Sequence, residues 1–378
     1  MEGVFLNMIG YYLHVDLTND LGVNKKVSYQ IEELKKVADV KEIVLETNNY
    51  PLVKIRCIFP LIYSCRYNYE KALSQIDNPD FIYIRKNMFL DKYFIAFLSV
   101  IKSKYPNCKI IYEIPTFPYL REYFISLKLI PLIYKEIFYS FFCKKYVDRI
   151  VTYSLHDKIF NVKTIPIMNG INVASFQEKS PSMTDNVITM IAVSMCAPWH
   201  GYERIIRGLY EYRVNGGNRA IRLLFVGEGR EVNKYKKLVQ KYRLTNDVIF
   251  KGILNGEVLE NIYNEADIGL GIFGMYKKNM DCSSALKTRE YLCKGLPIVS
   301  GCKEDVLIKY PNNFYLELEN NSSPVDISKI IDFYDNLFGP FNSYESKQNV
   351  IKRVRNFAQM FTNMEKTFFP VIAFLNEQ

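Results

Sequence analysis

The sequence predicts an α/β protein made of two doubly wound domains. Short runs rich in Val, Ile and aromatic residues alternate with longer amphipathic segments along the chain. Most of these runs lack strict polar alternation, which is typical of strands buried on both faces of a parallel sheet. The 378 residues exceed what a single core usually supports, so two domains are expected.

The individual elements follow from hydrophobic period and length. Strands are predicted at residues 4–9, 42–46, 81–84, 109–114, 149–153, 187–193, 221–226, 248–251, 268–272 and 297–300. Helices are predicted at residues 30–38, 203–212, 233–242 and 285–294. This alternation of strand and helix is the pattern of a doubly wound sheet.

A polar stretch with a proline and no apolar period, at 176–185, predicts a linker between the two domains. The predicted domains are residues 1–180 and 184–344. A helical segment at 346–378 is expected to pack back on the first domain. Ligands of such sheets bind beyond the carboxyl ends of the strands, so two facing domains would enclose a cleft.

Composition narrows the class of partner. A net charge of +9 favours anionic ligands. The lysines are scattered, and zinc-finger and ribonucleoprotein signatures are absent from the sequence, so nucleic acid is not an expected partner.

The cysteines and the apolar runs of the sequence predict the cellular compartment of the protein. The eight cysteines form no C-x-x-C pair and the chain has three histidines, so a structural zinc site is not expected. Several cysteines lie in apolar runs, which fits a reducing, cytoplasmic setting. We expect neither a signal peptide nor a spanning helix, because the N-terminus lacks a basic and apolar leader and no run reaches 18 apolar residues.

The most informative segment is 281–301, DCSSALKTREYLCKGLPIVSG. Ser283 or Ser284 is predicted to cap a helix that ends at Gly295, before a buried strand. A helix start offers free N–H groups and a positive dipole end to a phosphate, and Lys287 adds charge there. Glu290, one turn further, could accept hydrogen bonds from vicinal hydroxyls. On spacing alone, the alternative of a solvated helix face is favoured.

This segment resembles the donor-binding element of family 4 glycosyltransferases, in the form found in capsular and exopolysaccharide enzymes. The matching residues are Leu286, Lys287, Glu290, Tyr291, Gly295 and Pro297. The resemblance implies that Leu286 and Lys287, at the helix start, face the diphosphate and that Glu290 binds the ribose. Many members carry an earlier Glu near the donor sugar, and Cys282 stands at that position here.

Three further segments of the second domain resemble the same family. His200 and Gly201 follow a strand where the family has a phosphate-binding Lys-Gly pair, although an ordinary loop histidine is the alternative. Gly227 opens a Gly-Glu-Gly turn that matches the Val-Gly-x-Gly element. Ile253 follows the Val-x-Phe-x-Gly motif, whose next residue typically meets the nucleobase through its backbone.

The first domain resembles the family more loosely. Residues 21–30 resemble a glycine-bearing loop before the first helix, which implies that Gly22 and Val23 approach the donor phosphates. Lys25 and Lys26 are phosphate contacts or solvated side chains. Glu113 lies in a Glu-x-Pro-Thr sequence at a strand end, where a carboxylate can act as a base or contact the donor sugar or acceptor. A turn-capping role for Glu113 is an equal alternative.

Residues 121–150 are both apolar and basic. Charges interrupt the segment too often for it to span a bilayer. It is either a buried helix pair broken at Pro131, which is slightly favoured, or a peripheral membrane contact with its lysines near headgroups.

Taken together, the resemblance implies the GT-B fold, in which two Rossmann-like domains face each other across a cleft. It further implies retaining, metal-independent transfer of a hexose-type sugar, without a cofactor. The donor would be a nucleotide sugar, with UDP favoured over GDP, and the acceptor a saccharide or lipid-linked saccharide of surface polysaccharide synthesis. The alternatives are a nucleotide-sugar epimerase on the same fold and a non-catalytic partner of another transferase. A dinucleotide oxidoreductase is not expected, because no G-x-G-x-x-G follows the first strand.

Overall fold

The computed structural model describes residues 8–17, 21–48, 66–86, 89–120, 130–182, 187–339 and 343–377. The chain divides into two compact units. One consists of Met1–Met168 together with Met364–Gln378, and the other of Asn169–Asn363.

The first unit is built on a sheet that has seven strands among the described residues. They are β1 (Ile9–Val15), β2 (Asp39–Leu45), β3 (Phe81–Arg85), β4 (Lys109–Ile114), β5 (Arg149–Thr152), β6 (Lys158–Ile159) and β7 (Val162–Pro166). Their order is β2-β1-β3-β4-β5-β7-β6, with all pairings parallel except the β6–β7 hairpin. All five residues of β3 are buried, as expected for a strand covered on both faces.

Helices cover both faces of this sheet: α1 (Leu21–Lys35), α2 (Tyr69–Ser74), α3 (Lys92–Lys104) and α4 (Ile130–Tyr146). Asp91 caps α3 by accepting a hydrogen bond from the Phe94 N–H at 2.8 Å. The buried side of α3 packs with β4 in one core cluster, which includes Phe97, Leu98 and Ile110.

Three predicted elements of the first unit begin elsewhere. The second strand runs over Asp39–Leu45 instead of 42–46. The first strand runs from Ile9 to Val15 instead of over 4–9, because Tyr11, Tyr12 and Leu13 are fully buried; residues 4–7 lie outside the described part. The first helix begins at Leu21, so the predicted glycine-bearing loop at 21–30 is wrong. Gly22 and Val23 instead form the first turn of α1.

The second unit contains a parallel six-stranded sheet in the described residues. Its strands are β8 (Val187–Val193), β9 (Ala220–Val226), β10 (Val248–Gly252), β11 (Ile268–Leu270), β13 (Ile298–Ser300) and β15 (Tyr315–Glu317). The order β10-β9-β8-β11-β13-β15 is the 3-2-1-4-5-6 arrangement of a Rossmann domain. A separate pair joins β12 (Cys282–Ser283) to β14 (Lys303–Glu304).

Helices of the second unit follow its strands in turn: α5 (Glu203–Val214), α6 (Val232–Lys241), α7 (Gly256–Glu265), α8 (Leu286–Lys294), α9 (Asp305–Lys309), α10 (Ile327–Phe338) and α11 (Tyr344–Phe361). Apolar faces of α5, α6 and α10 are buried at residues such as Ile206, Tyr235 and Ile330. The alternation of strands and helices predicted from the sequence is therefore confirmed as an α/β architecture, with one parallel sheet and one sheet that is parallel except for its β6–β7 hairpin.

The chain ends with α12 (Met364–Asn376), which belongs to the first unit. Phe368 and Val371 of α12 share a core cluster with Tyr12 and Tyr83 of the first sheet. The helix before it, α11, belongs to the second unit and packs against α8 there. The boundary between units thus passes through the segment 346–378, which the sequence analysis treated as one piece, and it also falls at Met168 instead of near residue 180.

Candidate functional site

In a sheet of Rossmann order, ligands bind at the carboxyl edge where the strand order reverses. In the second unit this point lies between β8 and β11. The loops that follow these two strands are joined by backbone hydrogen bonds, from Phe273 N–H to the His200 carbonyl at 2.8 Å and from Gly274 N–H to the Trp199 carbonyl at 3.1 Å. His200, Gly201 and α8 therefore meet at the edge where a ligand is expected.

His200 ends a short 3-10 turn, Pro198–His200, after β8. Its Nδ1 accepts a hydrogen bond from the Ala197 N–H at 2.9 Å, which leaves the proton on Nε2. Burial, together with the smaller effects of the positive charges of Lys287 and Lys278, lowers the pKa of His200 to about 2. The structure therefore holds a neutral ring that can donate one hydrogen bond from Nε2.

The ring of Tyr202 connects His200 to Lys287. It is fully buried and stacks on the imidazole with 5.7 Å between ring centroids and 7° between planes. The ammonium group of Lys287 donates to the Tyr202 hydroxyl and to the Gly271 carbonyl, both at 2.7 Å. Lys287 is thus held in one position at the ligand edge and is not a lysine of a solvated helix face.

A buried carboxylate lies beneath this lysine. Glu304 is fully buried, and its carboxylate accepts hydrogen bonds from Thr288 at 3.0 Å and Ser300 at 3.2 Å. Burial raises the pKa of Glu304, and burial lowers the pKa of Lys287 while Glu304 opposes that change. A phosphate arriving at this point would therefore favour the charged form of Lys287.

The start of α8 has no side-chain cap. The predicted caps are wrong: Ser283 belongs to β12, and the Ser284 hydroxyl accepts from the Asn169 N–H at 3.1 Å. Ala285 occupies the cap position and Leu286 is the first helical residue. The first N–H groups of α8 therefore have no side-chain acceptor at the cap, which is the arrangement found where helix starts bind anions.

Further along α8, Glu290 is partly exposed while Lys294 is buried. Lys294 forms an ion pair with Glu260, and its Nζ lies 5.4 Å from the centroid of the Tyr263 ring. The charge of Glu290 contributes to the raised pKa of Tyr263, after the larger effect of burial. Lys287 and Lys294 therefore do not share an open polar face, and the solvated-face alternative for α8 is contradicted.

The glycines of the turn after β9 are explained by loop packing. Gly227 has φ +113, and a Cβ there would lie 2.2 Å from the Ser194 carbonyl oxygen. The Cys196 N–H donates to the Glu228 carbonyl at 2.6 Å. Gly227 thus allows the turn to press against the loop that carries His200.

Gly201 is required for a similar reason. Its φ is +65, and a Cβ would lie 2.5 Å from Gly274 N and from the Phe273 carbonyl carbon. Ile253 follows β10 at the same carboxyl edge, and its side chain is 64% exposed. Phosphate contact for Gly201 and base contact for Ile253 stay predictions.

The first unit has its own polar cluster, centred on Glu113 near the carboxyl end of β4. This carboxylate is fully buried and accepts from Arg85 at 2.5 Å, Tyr83 at 2.8 Å, Lys26 at 3.1 Å and Tyr153 at 3.1 Å. Burial alone would raise the pKa of Glu113, but Arg85, Lys26 and the Tyr83 hydrogen bond outweigh it and hold the pKa at about 2.

These surroundings do not fit the base role predicted for Glu113. A base needs a pKa near the working pH and an open path to the proton it removes. Glu113 instead fixes Arg85 and Lys26 behind the carboxyl edge of the first sheet. Of the neighbouring predicted residues, Gly22 and Lys25 are exposed and Val23 is half-buried, whereas Lys26 is buried.

Sequence reasoning missed three members of the second-unit cluster, namely Tyr202, Lys278 and Glu304. The Lys278 ammonium nitrogen lies 4.1 Å from the centroid of the Trp199 ring. The guanidinium carbon of Arg230 lies 5.7 Å from the same centroid. None of these residues belongs to a recognisable motif. Their roles depend on contacts between distant loops, which no local pattern carries.

Comparison by sequence gives no match to a protein-family model and none to a curated protein. By structure, the chain is similar to Anabaena HepE in complex with UDP-glucose, with 12% identity, 98% of this chain and 99% of that chain covered, and a TM-score of 0.62. It is also similar to a glycosyltransferase from Rickettsia africae, with 14% identity, 98% of each chain covered, and a TM-score of 0.57.

A third similar structure is sucrose-phosphate synthase from Thermosynechococcus elongatus, with 14% identity, 97% of this chain and 98% of that chain covered, and a TM-score of 0.63. Because the likeness extends over almost the whole chain, it defines the architecture of both units. The chain has the GT-B fold, with two Rossmann-like domains.

Proposed function

We propose that this chain is a glycosyltransferase that takes a hexose-type sugar from a nucleotide-sugar donor. The observation that carries the proposal is the cluster at the switch point of the second unit. There the uncapped start of α8, the fixed ammonium of Lys287 and the Nε2–H of His200 are three donors suited to a diphosphate. UDP is favoured as the carrier, since HepE is described in complex with UDP-glucose.

The proposed chemistry uses these groups to stabilise the leaving diphosphate. Fixed donors aimed at developing charge lower the barrier because they need no reorganisation during the reaction. Glu290, one turn after Lys287, would accept hydrogen bonds from the ribose, and the Ile253 backbone would meet the base. We also propose that the reaction retains the anomeric configuration and needs no metal ion. The start of α8 and Lys287 would then stabilise the charge of the leaving diphosphate.

We further propose that the acceptor is a saccharide or lipid-linked saccharide of a surface polysaccharide, in the form of a capsule or exopolysaccharide. The match of Leu286, Lys287, Glu290 and Tyr291 to the motif of such enzymes supports this assignment. A cytoplasmic site of action is consistent with the buried free thiols at Cys108, Cys143 and Cys293.

Turnover is the direct test. The chain is incubated with UDP-glucose and related donors, with and without a saccharide or lipid-linked acceptor, and nucleotide release and product are measured with and without EDTA. We expect acceptor-dependent release of UDP, a product that retains the anomeric configuration, and no effect of EDTA. Lys287→Ala should abolish release, whereas Lys241→Ala, at an exposed position at the end of α6, should not.

A second candidate is a nucleotide-sugar binding protein that does not transfer the sugar. It is favoured by Cys282, which stands on β12 where many of the resembling enzymes carry a Glu, and by the burial of Glu113 in the first unit. Binding of a donor without acceptor-dependent release of nucleotide would favour this candidate and contradict the transferase.

A further inference from the structure

An aromatic face is exposed on α4. Five large apolar side chains of this helix are exposed, with Tyr134 and Phe141 at 68% and 69%; the others are Ile137, Phe138 and Phe142. Their spacing of three, four, seven and eight residues places all five on one side of the helix. Scattered exposed apolar residues are ordinary, but a contiguous group marks an interaction surface.

The opposite side of α4 faces the protein interior and carries charge. Glu136 is 1% exposed and forms an ion pair with Lys86 at 2.7 Å. It also accepts hydrogen bonds from the Leu90 N–H at 2.5 Å and from the Tyr119 hydroxyl. Lys135, the residue before it, is also buried.

An ordinary surface helix buries its large apolar residues and exposes its charges. Helix α4 buries Leu132 and Ile133, but it also buries Glu136 and leaves five large apolar side chains exposed. Turning the aromatic residues inward would carry Glu136 out to solvent and break its contacts with Lys86, the Leu90 N–H and the Tyr119 hydroxyl. The orientation of α4 is therefore fixed, with the aromatic face directed outward. This part of 121–150 is therefore half-buried, with Leu132, Ile133 and Cys143 inside and the aromatic face outside. Residues 121–129 lie outside the described part, so the predicted helix pair stays a prediction.

Charge complementarity indicates which partner fits this face. Lys144 and Lys145 are exposed at the end of α4, and Lys145 falls within the same angular sector as the aromatic residues. The acidic residue of α4, Glu136, is buried, so the exposed side carries positive charge alone. Aromatic side chains that insert at headgroup depth, next to lysines that attract anionic headgroups, are typical of interfacial helices.

We propose that the aromatic face of α4 docks on an anionic lipid surface, with α4 lying in the plane of the interface. The proposal rests on the geometry of the first unit and is independent of donor binding in the second unit. The choice of acceptor, in contrast, rests on the proposed transferase function. If the chain is a transferase, docking on lipid favours a lipid-linked acceptor over a soluble saccharide.

Vesicle sedimentation with the full chain tests the docking. Phosphatidylcholine vesicles are compared with vesicles that also contain phosphatidylglycerol, at low and high salt. We expect binding to the anionic vesicles that weakens as salt rises, because the lysine contribution is screened. Phe138→Ser with Phe141→Ser should weaken binding by at least about tenfold.

Two further variants separate the contributions. Lys144→Gln with Lys145→Gln should weaken binding to anionic vesicles by roughly twenty-five-fold, at about fivefold per lysine, and should leave the weaker binding to neutral vesicles unchanged. Phe369→Ser is the matched control, because Phe369 is 63% exposed on α12 of the same unit. It should bind like the unaltered chain.

The proposal is overturned if the unaltered chain does not bind anionic vesicles, or if the double phenylalanine variant binds as well as the Phe369 control. Sedimentation velocity without lipid gives a further contrary outcome: self-association that the double variant abolishes would assign the face to a second copy of the chain. Donor binding is measured on the same variants. Its failure in every variant would contradict the proposed function and leave docking intact.

Discussion

The ammonium group of Lys287 donates to two protein oxygens, the Tyr202 hydroxyl and the Gly271 carbonyl, and retains a third hydrogen for a ligand. Burial makes its charged form less favourable than in water. An incoming diphosphate compensates for that cost. At the residue scale, donor affinity therefore depends on this lysine more than on the number of lysines in the chain.

We predict that Lys287→Ala weakens the binding of UDP-glucose by about tenfold to a hundredfold, the usual value of a hydrogen bond to a charged group. Isothermal titration calorimetry measures the dissociation constants. Lys241→Ala is the control and should bind like the unaltered chain. Equal affinity of the two variants would contradict the position assigned to the diphosphate.

At the same scale, the lowered pKa of Glu113 makes the stability of the folded chain depend on pH. Its pKa is about 2 in the folded chain and about 4.3 in an unfolded one, so the unfolded state takes up the proton first as pH falls. The stabilisation is therefore complete above about pH 5 and is lost as pH falls towards 2. The difference between the two pKa values corresponds to roughly 3 kcal/mol of the free energy of unfolding.

We predict that Glu113→Gln lowers the free energy of unfolding at pH 7 by roughly 3 kcal/mol and makes its decline below pH 5 shallower. Denaturant titrations from pH 3 to pH 7 measure both effects. Glu70→Gln, at an exposed position on α2, is the control and should change little. A variant as stable as the control would show that the carboxylate network around Glu113 is not a stabilising one.

At the scale of elements, the second-unit cluster depends on three loops that press against one another. Their close approach requires glycine at positions 201, 227 and 229. Each of these residues has a positive φ, and a Cβ there would lie less than 3 Å from a neighbouring backbone atom. The motif glycines are thus explained by loop packing, and packing in turn fixes the position of His200.

We predict that Gly227→Ala lowers the free energy of unfolding by about 2–4 kcal/mol, from a disfavoured φ together with a backbone collision. Gly216→Ala separates the two causes, since Gly216 also has a positive φ, of +85, but a Cβ there would meet no atom within 4 Å. Its cost should be about 1–2 kcal/mol. Equal losses in the two variants would show that contact with the Ser194 loop is unimportant.

Local patterns predicted some elements well and others poorly. The second-unit helices α5 and α6 appear within two residues of the predicted bounds, because apolar period and flanking turns are encoded locally. The start of α1 was missed because Gly22 indicates a loop, and tertiary packing overrides that preference. The short pair β12–β14 has no hydrophobic signature at all.

The candidate site was predictable where a motif carries it. Lys287, Glu290 and His200 follow from sequence, but the stacking of Tyr202, the burial of Glu304 and the neutral state of His200 depend on contacts across long stretches of chain. The same holds for Glu113, whose strand-end position suggested a base. Its four donors come from α1, β3 and the segment after β5, which no reading of the Glu-x-Pro-Thr motif could reveal.

At the scale of the whole molecule, the chain keeps the GT-B fold at 12–14% identity to the structures it resembles. Such a fold is specified by burial pattern and strand order more than by residue identity. Function resides in the site that each fold carries, so the transferase assignment depends on the cluster around α8. The proposed docking on lipid depends on the aromatic face of α4 in the first unit.

The central claim, that the second unit holds a nucleotide-sugar donor, is tested most directly by thermal unfolding of the full chain with UDP, UDP-glucose, GDP and GDP-mannose. The variants Glu290→Ala and Glu257→Ala, an exposed residue of α7, are compared with the unaltered chain. A ligand at a hundred times its dissociation constant adds about 2.7 kcal/mol, roughly 5–10 °C for a domain of this size. We predict that shift with UDP and UDP-glucose for the unaltered chain and for Glu257→Ala, and a much smaller one for Glu290→Ala. The absence of a shift with every nucleotide, or equal shifts in both variants, would contradict the donor site proposed here.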